Sequence, residues 1–223
     1  MFRKRDRVKP AVATIITRMD LFEAMSTQRS MRRLKSDPVP DAVIRQILDL
    51  AICAPSGGNR QGWSFVIVRD AAKRARIGEL YREAWAELMK TPYYAGASKE
   101  PADSVTGRMI ASAGHLAEHL GEAPVLMLAC IALDPGARPS VTTGASIYPA
   151  VQNFMLAARA LGIGTCLTTI HKYRDAQVKE LLGIPADVET AALIPLGYPL
   201  GKFGRPPRRP VTEVAHWDGW GGR

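Results

Sequence analysis

The sequence predicts a mixed α+β fold in which helices pack on a small central sheet. Helix-like segments outnumber strand-like segments, and the strand candidates are separated from one another by helices. Elements of these two kinds bury their apolar faces by stacking in layers. Neither an internal repeat nor a linker divides the 223 residues. We therefore expect one domain over residues 19–223, preceded by a basic extension over residues 1–18.

Two helices open the predicted domain. Asp20 and Glu23 form a capping box, which predicts a helix that continues to about Thr27. Apolar residues recur at helical spacing over 41–54 and predict an amphipathic second helix. The motif Pro55-Ser56-Gly57-Gly58 ends this helix, because proline and paired glycines interrupt helical structure.

A strand and two further helices are predicted next. Residues 63–68 (WSFVIV) have the aromatic and β-branched composition of a strand. Asp70 is a suitable N-cap for a helix over 71–89. Residues 91–106 contain prolines and a glycine and are predicted to be irregular, and another helix is predicted over 107–120.

The second half of the chain contains the most apolar segments. Residues 125–133 form a continuous apolar run, which is the pattern of a fully buried strand. Residues 134–143 are predicted to form a loop. The almost wholly apolar segment 145–161 predicts a helix in the middle of the domain or at a large interface.

Three short elements complete the predicted fold. Residues 165–170 have the composition of a short strand, and residues 174–182 predict a helix that a glycine ends. The last strand is predicted over 190–196. Proline lacks the backbone N–H that a sheet requires, so Pro195 favours an edge position or a strand end.

The net charge of +9 is concentrated at the N-terminus, where residues 1–18 carry +5 and leave +4 for the remainder. A basic domain face for nucleic acid is therefore not indicated. The extension is interpreted as a solvated tail, with an arm for an anionic partner such as DNA as the alternative. A signal peptide is disfavoured because the segment has no clear cleavage site. No run approaches the roughly 18 apolar residues that a membrane helix needs.

The cysteines and histidines indicate no metal site. The odd number and wide spacing of Cys53, Cys130 and Cys166 fit neither a disulfide framework nor a zinc motif. Buried, inert thiols and a reducing cytoplasm are expected. His115 and His119 share a helix face, but the H-x-x-E-H pattern that they form is too common to indicate zinc by itself.

Two segments after helices are candidates for ligand binding. Arg29, Ser30 and Arg32 combine a hydroxyl with the fork-shaped guanidinium groups that suit a phosphate. A solvated basic turn is the alternative. In the motif of residues 54–63, paired glycines let the backbone approach a ligand, and Ser56 and Asn59 offer polar groups to a heterocycle. The alternative is an ordinary helix-to-strand turn.

Two further segments have weaker signals. Residues 162–169 are glycine-rich but follow a helix, which is the wrong order for a dinucleotide-binding turn. They are equally consistent with a helix end that leads into a strand. The basic residues of 202–210 either complete a phosphate site or remain solvated. The chain contains no nucleophile elbow.

In combination, these segments resemble the nitroreductase family of FMN enzymes. The resemblance covers about residues 20–220 and rests on the order and spacing of four blocks. They are QRSMRRLKSDPVP at 28–40, APSGGNRQGWSFVIV at 54–68, YPAVQNFMLAARALGIGTCLTT at 148–169 and LIPLGYPLGKFGRPPRRPVTEV at 193–214. Two positions depart from the family pattern: Gln28 stands where many members have arginine, and Gly62 stands where proline is usual.

The resemblance implies the nitroreductase α+β fold and a homodimer with two FMN sites at the subunit interface. It implies that Arg29, Ser30 and Arg208 lie near the FMN phosphate and that Arg32 lies near the flavin pyrimidine edge. It also implies that one backbone N–H of 167–169 points toward flavin N5. The remaining pocket residues implied are Pro55, Ser56, Gly57, Asn59, Gln152, Leu167, Thr168 and Thr169.

The activity implied by the resemblance is ping-pong electron transfer from NADH or NADPH through FMN to an electron-poor acceptor such as a nitroaromatic or a quinone. The alternatives are a specialised relative, either a reductive dehalogenase or an oxygen-dependent flavin enzyme, and a non-catalytic flavin-binding protein. Residues 91–106 and 134–143 are the expected variable pocket loops. Tyr93 and Tyr94 either stack on a planar substrate or pack locally.

Overall fold

The computed structural model describes residues 19–222, and the predicted basic extension lies outside them. The mixed α+β architecture predicted from the sequence is confirmed. The helices are α1 (Leu21–Thr27), α2 (Asp41–Ala51), α3 (Ala71–Leu88), α4 (Pro92–Ala97), α5 (Val105–His119), α6 (Val141–Ala160) and α7 (Asp175–Leu182). The strands are β1 (Trp63–Val68), β2 (Val125–Ala132), β3 (Gly164–Thr165) and β4 (Val188–Gly197). No helix in this part of the chain is long and apolar enough to cross a membrane.

The four strands form an antiparallel sheet in the order β1-β2-β4-β3. Trp63 at the start of β1 pairs with Ile131 near the end of β2. At the opposite end of β2, Val125 pairs with Leu196 of β4, which also pairs with Thr165 of β3. The β1 edge and the β3 edge therefore carry different segments to diagonally opposite corners of the sheet.

The sheet is buried on both faces, because successive side chains of a strand point to opposite sides. Alternate residues of β2 enter two hydrophobic clusters. Val125, Met127 and Ala129 pack on the side of α2 and α6, whereas Leu126 and Leu128 pack with residues of α3 and α5. This double burial accounts for the continuous apolar run from which the strand was predicted.

The two predicted helix caps, Asp20 for α1 and Asp70 for α3, are confirmed. The carboxylate of Asp20 accepts the backbone N–H of Glu23 at 3.2 Å. The carboxylate of Asp70 accepts the N–H of Lys73 at 2.8 Å. These bonds satisfy backbone donors that a helix leaves free in its first turn, so the side chain at the cap fixes where each helix begins.

Several boundary predictions were wrong, including the short strand predicted over 165–170, since β3 covers only Gly164–Thr165. The segment predicted as irregular contains helix α4, whose Pro92 occupies the first helical turn, where the missing N–H has no consequence. Helix α6 begins four residues before the predicted start, because the Ser140 hydroxyl accepts the N–H of Thr143. Helix α2 ends at Ala51 rather than at residue 54, and Cys53 is consequently exposed, whereas Cys130 and Cys166 are buried as expected.

Of the two positions predicted for Pro195, the edge strand is wrong, because β4 lies between β2 and β3, whereas the residue does lie near a strand end, two positions before the last residue of β4. Leu193, two residues earlier, exchanges hydrogen bonds with Thr168 on the β3 side. By the alternation of a strand, Pro195 directs its missing donor to that same side. Regular pairing is interrupted there between Thr165 and Thr168. The proline is therefore accommodated where β4 has an incomplete neighbour.

Candidate functional site

Backbone hydrogen bonds bring three of the four sequence blocks together at the β3 edge. Ser30 forms a parallel bridge with Thr165, and the N–H of Met31 donates to the Thr165 carbonyl at 2.8 Å. On the other side of the same segment, Leu200 donates to the carbonyl of Arg33 at 3.0 Å. The arginine-rich segment thus lies between the glycine-rich exit of α6 and the start of the basic tail.

The arginines of this edge differ in their surroundings. Arg29 is exposed, and exposed Arg208 donates to the carbonyl of Pro207, its neighbour in the chain. Arg32 is half-buried, with Nη1 3.4 Å from the Ser112 hydroxyl of α5. Its positive charge opposes the effect of burial, which raises the pKa of the nearby Cys166 thiol. Arg29 and Arg208 therefore face solvent, whereas Arg32, two residues after Ser30, is partly enclosed by the fold.

The segment after β3 is fixed by its backbone. Thr168 donates its N–H to the Leu193 carbonyl at 3.0 Å and accepts the N–H of Leu193 at 2.9 Å. Its buried hydroxyl lies 2.8 Å from that of Tyr81. Since the N–H of Thr168 is already bonded, the flavin-directed N–H implied for this segment has to come from Leu167 or Thr169. Of these two residues, Thr169 is exposed.

The turn after α2 is held by its own hydrogen bonds and by α6. The hydroxyl of Ser56 accepts the N–H of Gln61 at 3.0 Å, and Gly57 donates to the Ser146 hydroxyl at 3.1 Å. Asn59 and Gln61 have positive φ angles of 53° and 51°. A conformation of this kind is costly for residues other than glycine and persists where the surroundings fix it. Pro55, Gly57 and Asn59 are exposed on this ordered turn.

A cavity of about 540 Å³ opens beside the turn. Its walls are the turn, the end of β2 and the first turns of α6. Ser56, Gly57, Thr143 and Ser146 contribute polar groups to these walls, and Ile131 contributes an apolar surface. This volume is within the usual range for small-molecule pockets.

The β3-edge residues and the turn lie at opposite corners of the sheet. Ile131, beside the turn, lies six residue positions along β2 from Val125, which is at the β3 end of the sheet. At ~3.4 Å per residue this is about 20 Å, and three strand spacings add ~14 Å across the sheet. Ser30, at the corner beside Thr165, is therefore separated from the turn by roughly 25 Å within one chain, whereas Thr169 lies nearer to the turn, since Thr169 and Ile131 line the same second cavity.

The remaining candidate pocket residue, Gln152, lies on the exposed side of α6. That side also presents Val141 (91% exposed) and Tyr148 (42%), and the neighbouring α1 exposes Phe22 (78%) and Met25 (58%). Large apolar side chains clustered in this way are typical of a surface that another protein covers.

The aromatic pair in the predicted variable loop favours local packing for one member. Tyr94 forms edge-to-face contacts with Trp85 at 5.9 Å and with Tyr93 at 5.1 Å between ring centroids. Tyr93 is 68% exposed. Tyr94 therefore packs within the fold, whereas the ring of Tyr93 remains accessible.

Sequence reasoning did not identify Tyr81, Ser112 or Ser146, which contact the predicted site residues. Tyr81 bonds to a residue 87 positions away, and Ser146 to one 89 positions away. A local sequence pattern does not predict contacts between residues so far apart in the chain. Ser146 interrupts the apolar pattern of α6 and was the only one of the three with a sequence signal.

Comparison with known proteins decides the family. The model of the nitroreductase family matches residues 25–198. The chain belongs to this family. The predicted family, fold class and oxidoreductase class are thereby confirmed.

Three relatives of this nitroreductase-family chain illustrate the range of the family. NADH dehydrogenase of Thermus thermophilus is 30% identical over 89% of this chain and 96% of its own length. Iodotyrosine deiodinase 1 of Rattus norvegicus is 28% identical over 81% of this chain and 62% of its own length. A Desulfovibrio desulfuricans protein solved in complex with FMN is 26% identical, with a TM-score of 0.62 over 90% of this chain and 97% of that chain.

Proposed function

We propose that this chain is an FMN-dependent oxidoreductase that passes electrons from NADH or NADPH to an electron-poor acceptor such as a nitroaromatic or a quinone. The observation that carries the proposal is the convergence at the β3 edge. There the Arg29–Ser30–Arg32 segment, the exit of α6 and the basic tail are joined by backbone hydrogen bonds. The FMN-bound relative and the relative named NADH dehydrogenase support the same reading.

The donors at this edge match the two ends of FMN. Exposed Arg29 and Arg208 offer permanent charge to a phosphate, and Ser30 adds a hydroxyl. Half-buried Arg32 suits the pyrimidine end of the flavin, because a fixed cation in partly desolvated surroundings stabilises negative charge strongly. The N–H of exposed Thr169 is the candidate donor toward flavin N5.

When bound, FMN would supply the redox chemistry by accepting a hydride from the nicotinamide and donating electrons to the acceptor. The residues of this chain would bind and orient the flavin and tune its electron affinity. Arg32 would raise the electron affinity of the flavin. The buried contact between Thr168 and Tyr81 would hold the segment after β3 in place. This division of roles requires no protein nucleophile, in agreement with the absence of a nucleophile motif from the sequence.

The separation of the two groups of site residues supports a homodimer with shared sites. The gap of roughly 25 Å between Ser30 and the turn exceeds the length of the flavin ring system, so we do not expect one chain to present the arginine-rich segment and the turn to the same ring. In the proposed dimer, the turn that contains Ser56, Gly57 and Asn59 lines the flavin held at the β3 edge of the partner subunit. The exposed apolar side chains of α1 and α6 would supply the interface.

The visible absorption spectrum of the purified full chain, recorded before and after anaerobic addition of NADH or NADPH, tests the proposal. Flavin bands that bleach on addition and recover when a nitroaromatic or a quinone follows are expected. Arg32→Ala should lower the flavin reduction potential, and Arg76→Ala, an exposed arginine of α3, should leave it unchanged. A chain that holds no flavin in excess FMN would contradict the proposal.

A second candidate function is reductive dehalogenation, which the 28% identity to an iodotyrosine deiodinase favours. Iodide release from iodotyrosine under the same anaerobic conditions, with nitroaromatic reduction slow in comparison, would support it. Bound flavin that neither nicotinamide reduces would instead favour the non-catalytic flavin-binding alternative.

A further inference from the structure

Arg159 of α6 is a buried cation outside the residues assigned to the flavin. Only 8% of it is exposed. Its Nε donates to the Thr27 hydroxyl at 2.9 Å, and its Nη2 lies 3.4 Å from a carboxylate oxygen of Glu23. The face of the guanidinium lies 4.1 Å from the centroid of the Phe203 ring. Buried charges are expensive and are retained where several partners compensate for them.

Two of these partners, Thr27 and Phe203, adjoin or belong to the two basic segments that we assign to the FMN phosphate. Thr27 is the last residue of α1 and stands two positions before Arg29. Phe203 stands two positions before Arg205 and five before Arg208. The Arg159 side chain is therefore a single point at which the start of one phosphate-binding segment and the start of the other are held together.

The contact with Thr27 has a defined geometry. The Thr27 hydroxyl donates to the Glu23 carbonyl at 2.6 Å, so its oxygen is available to accept from Arg159. Gln28, the next residue, donates its side-chain amide to the Met155 sulfur of α6 at 3.7 Å. The end of α1 is thus docked on α6 by two adjacent contacts, and the direction in which Arg29 leaves the helix is fixed.

The two segments are also paired further along, where Leu200 donates to the carbonyl of Arg33 and Lys35 donates to the carbonyl of Tyr198. These bonds fix the two backbones against each other as far as Leu200. The stacking of Phe203 on Arg159 adds an attachment beyond Leu200, on the part of the tail that leads to Arg208.

We propose that Arg159 is a positioning residue for recognition of the FMN phosphate. It acts through Thr27 and Phe203 to aim Arg29 and Arg208 at one anion, without touching the flavin itself. The inference rests on the proposed function. Arginine is suited to this role because its planar fork bonds at the rim while its face stacks on an aromatic ring, which a lysine ammonium cannot do at the same time.

The test compares the affinities of the full chain for FMN and for riboflavin, which lacks the phosphate, by quenching of flavin fluorescence. Arg159→Met keeps an unbranched apolar stem of similar course and removes the charge and the donors. We expect its Kd for FMN to rise about tenfold, the scale of a lost charge-assisted hydrogen bond, while its Kd for riboflavin changes less than about twofold. Arg159→Lys should resemble Arg159→Met rather than the wild type, and Arg76→Met is the matched control.

Phe203→Leu keeps apolar bulk at the stacking position and carries the test if Arg159→Met fails to fold. It should lower the preference for FMN over riboflavin in the same direction. An equal rise of both dissociation constants in the variants, or no rise, would overturn the positioning role and leave the proposed function intact. A wild-type chain that binds both flavins equally well would overturn this inference alone, whereas one that binds neither would overturn the proposed function and this inference together.

Discussion

The hydroxyl groups of Tyr81 and Thr168 lie 2.8 Å apart in a buried contact that joins α3 to the segment after β3. Tyr81 is only 2% exposed, and burial raises its pKa to about 12. Breaking this contact lowers the free energy of unfolding, because the buried hydroxyl that is left without a partner has given up its hydrogen bonds to water and gains none in return.

Tyr81→Phe should therefore lower the free energy of unfolding by about 1–2 kcal/mol at neutral pH, measured by urea denaturation. Thr168→Val should cost a similar amount. The double variant should cost less than the sum of the two, since the coupling belongs to one bond. Tyr93→Phe, at a 68% exposed position, is the control and should change stability little. Additive losses in the double variant would contradict the contact.

The same tyrosine predicts a difference at high pH. The unfolded chain releases the Tyr81 proton near pH 10 and the folded chain near pH 12. Unfolding therefore becomes more favourable as the pH rises through this window, by on the order of 2–3 kcal/mol in total. The wild-type chain should lose this amount relative to Tyr81→Phe between pH 9.5 and about 12. A constant difference between the two proteins would be the contrary result.

A second titration involves His171, which lies 1% exposed between α7 and β4. Its Nε2 is 3.2 Å from the Thr190 hydroxyl, and its Nδ1 is buried without a hydrogen-bond partner in the described part of the chain. Burial, with a smaller contribution from nearby Lys172, lowers the pKa of this imidazole to about 4 against the opposing charge of Asp175.

Stability should consequently fall on acidification. Below pH 6.5 His171 binds a proton in the unfolded chain, whereas in the folded chain it binds one only near pH 4. The free energy of unfolding therefore falls between these two pH values. We expect up to about 3 kcal/mol by pH 4, measured as the free energy of urea unfolding. His171→Gln should flatten this part of the profile, whereas His216→Gln, at an exposed position, should follow the wild type. An identical profile for His171→Gln would exclude the imidazole as its origin.

The sequence predicted most of the fold because its signals are local. Asp20 and Asp70 each cap a helix by accepting the backbone N–H of the residue three positions later. The continuous apolar run of β2 indicates directly that both faces of this strand are covered. Helix α4 was not predicted because a proline can begin a helix as well as end one, and composition does not distinguish these two roles. Pro195 misled for a similar reason, since the partner that decides its environment is remote in the chain.

The site was only partly predictable. The motif around Ser30 and the exit of α6 indicate a flavin by family resemblance, but strand order decides what lies beside them. Ser56 and Ser30 stand 26 positions apart in sequence and at opposite corners of the sheet. Nothing in either motif encodes that distance. Likewise, Arg159 was hidden in an apolar helix, where one cation has no distinguishing pattern.

Close packing at the β3 edge gives a pair of glycine substitutions with opposite signs. A methyl group on Gly164 would lie 3.0 Å from both the Met31 Cβ and a methyl of Leu34, and 3.2 Å from the Pro199 Cβ. Gly164→Ala should lower stability by about 1–3 kcal/mol through overpacking and should weaken FMN binding, because it displaces the arginine-rich segment.

Gly96→Ala is its matched control. This glycine lies in α4 with no atom within 4 Å of the added methyl group, and alanine stabilises an exposed helix by about 0.5–1 kcal/mol relative to glycine. Thermal melting and flavin titration of both variants supply the comparison. Unchanged FMN affinity in a folded Gly164→Ala protein would show that the β3 edge does not contribute to flavin binding.

The last prediction concerns how many chains build one site. Arg29→Ala with Arg32→Ala should abolish flavin binding at the β3 edge. Gly57→Trp should block the turn from lining a flavin, since Gly57 is exposed and its added Cβ meets only the Ser146 hydroxyl at 3.4 Å. Each variant alone should hold little FMN.

A heterodimer of the two variants, isolated through a different affinity tag on each chain, separates the possibilities. If every site combines the β3 edge of one chain with the turn of the other, one site carries both defects and its counterpart carries none. The heterodimer should then bind about half as much FMN as the wild-type dimer, because a two-fold dimer has two equivalent sites. Sites built within single chains would leave each site with one defect and almost no bound flavin. A chain that sediments as a monomer while holding FMN would contradict the shared site directly.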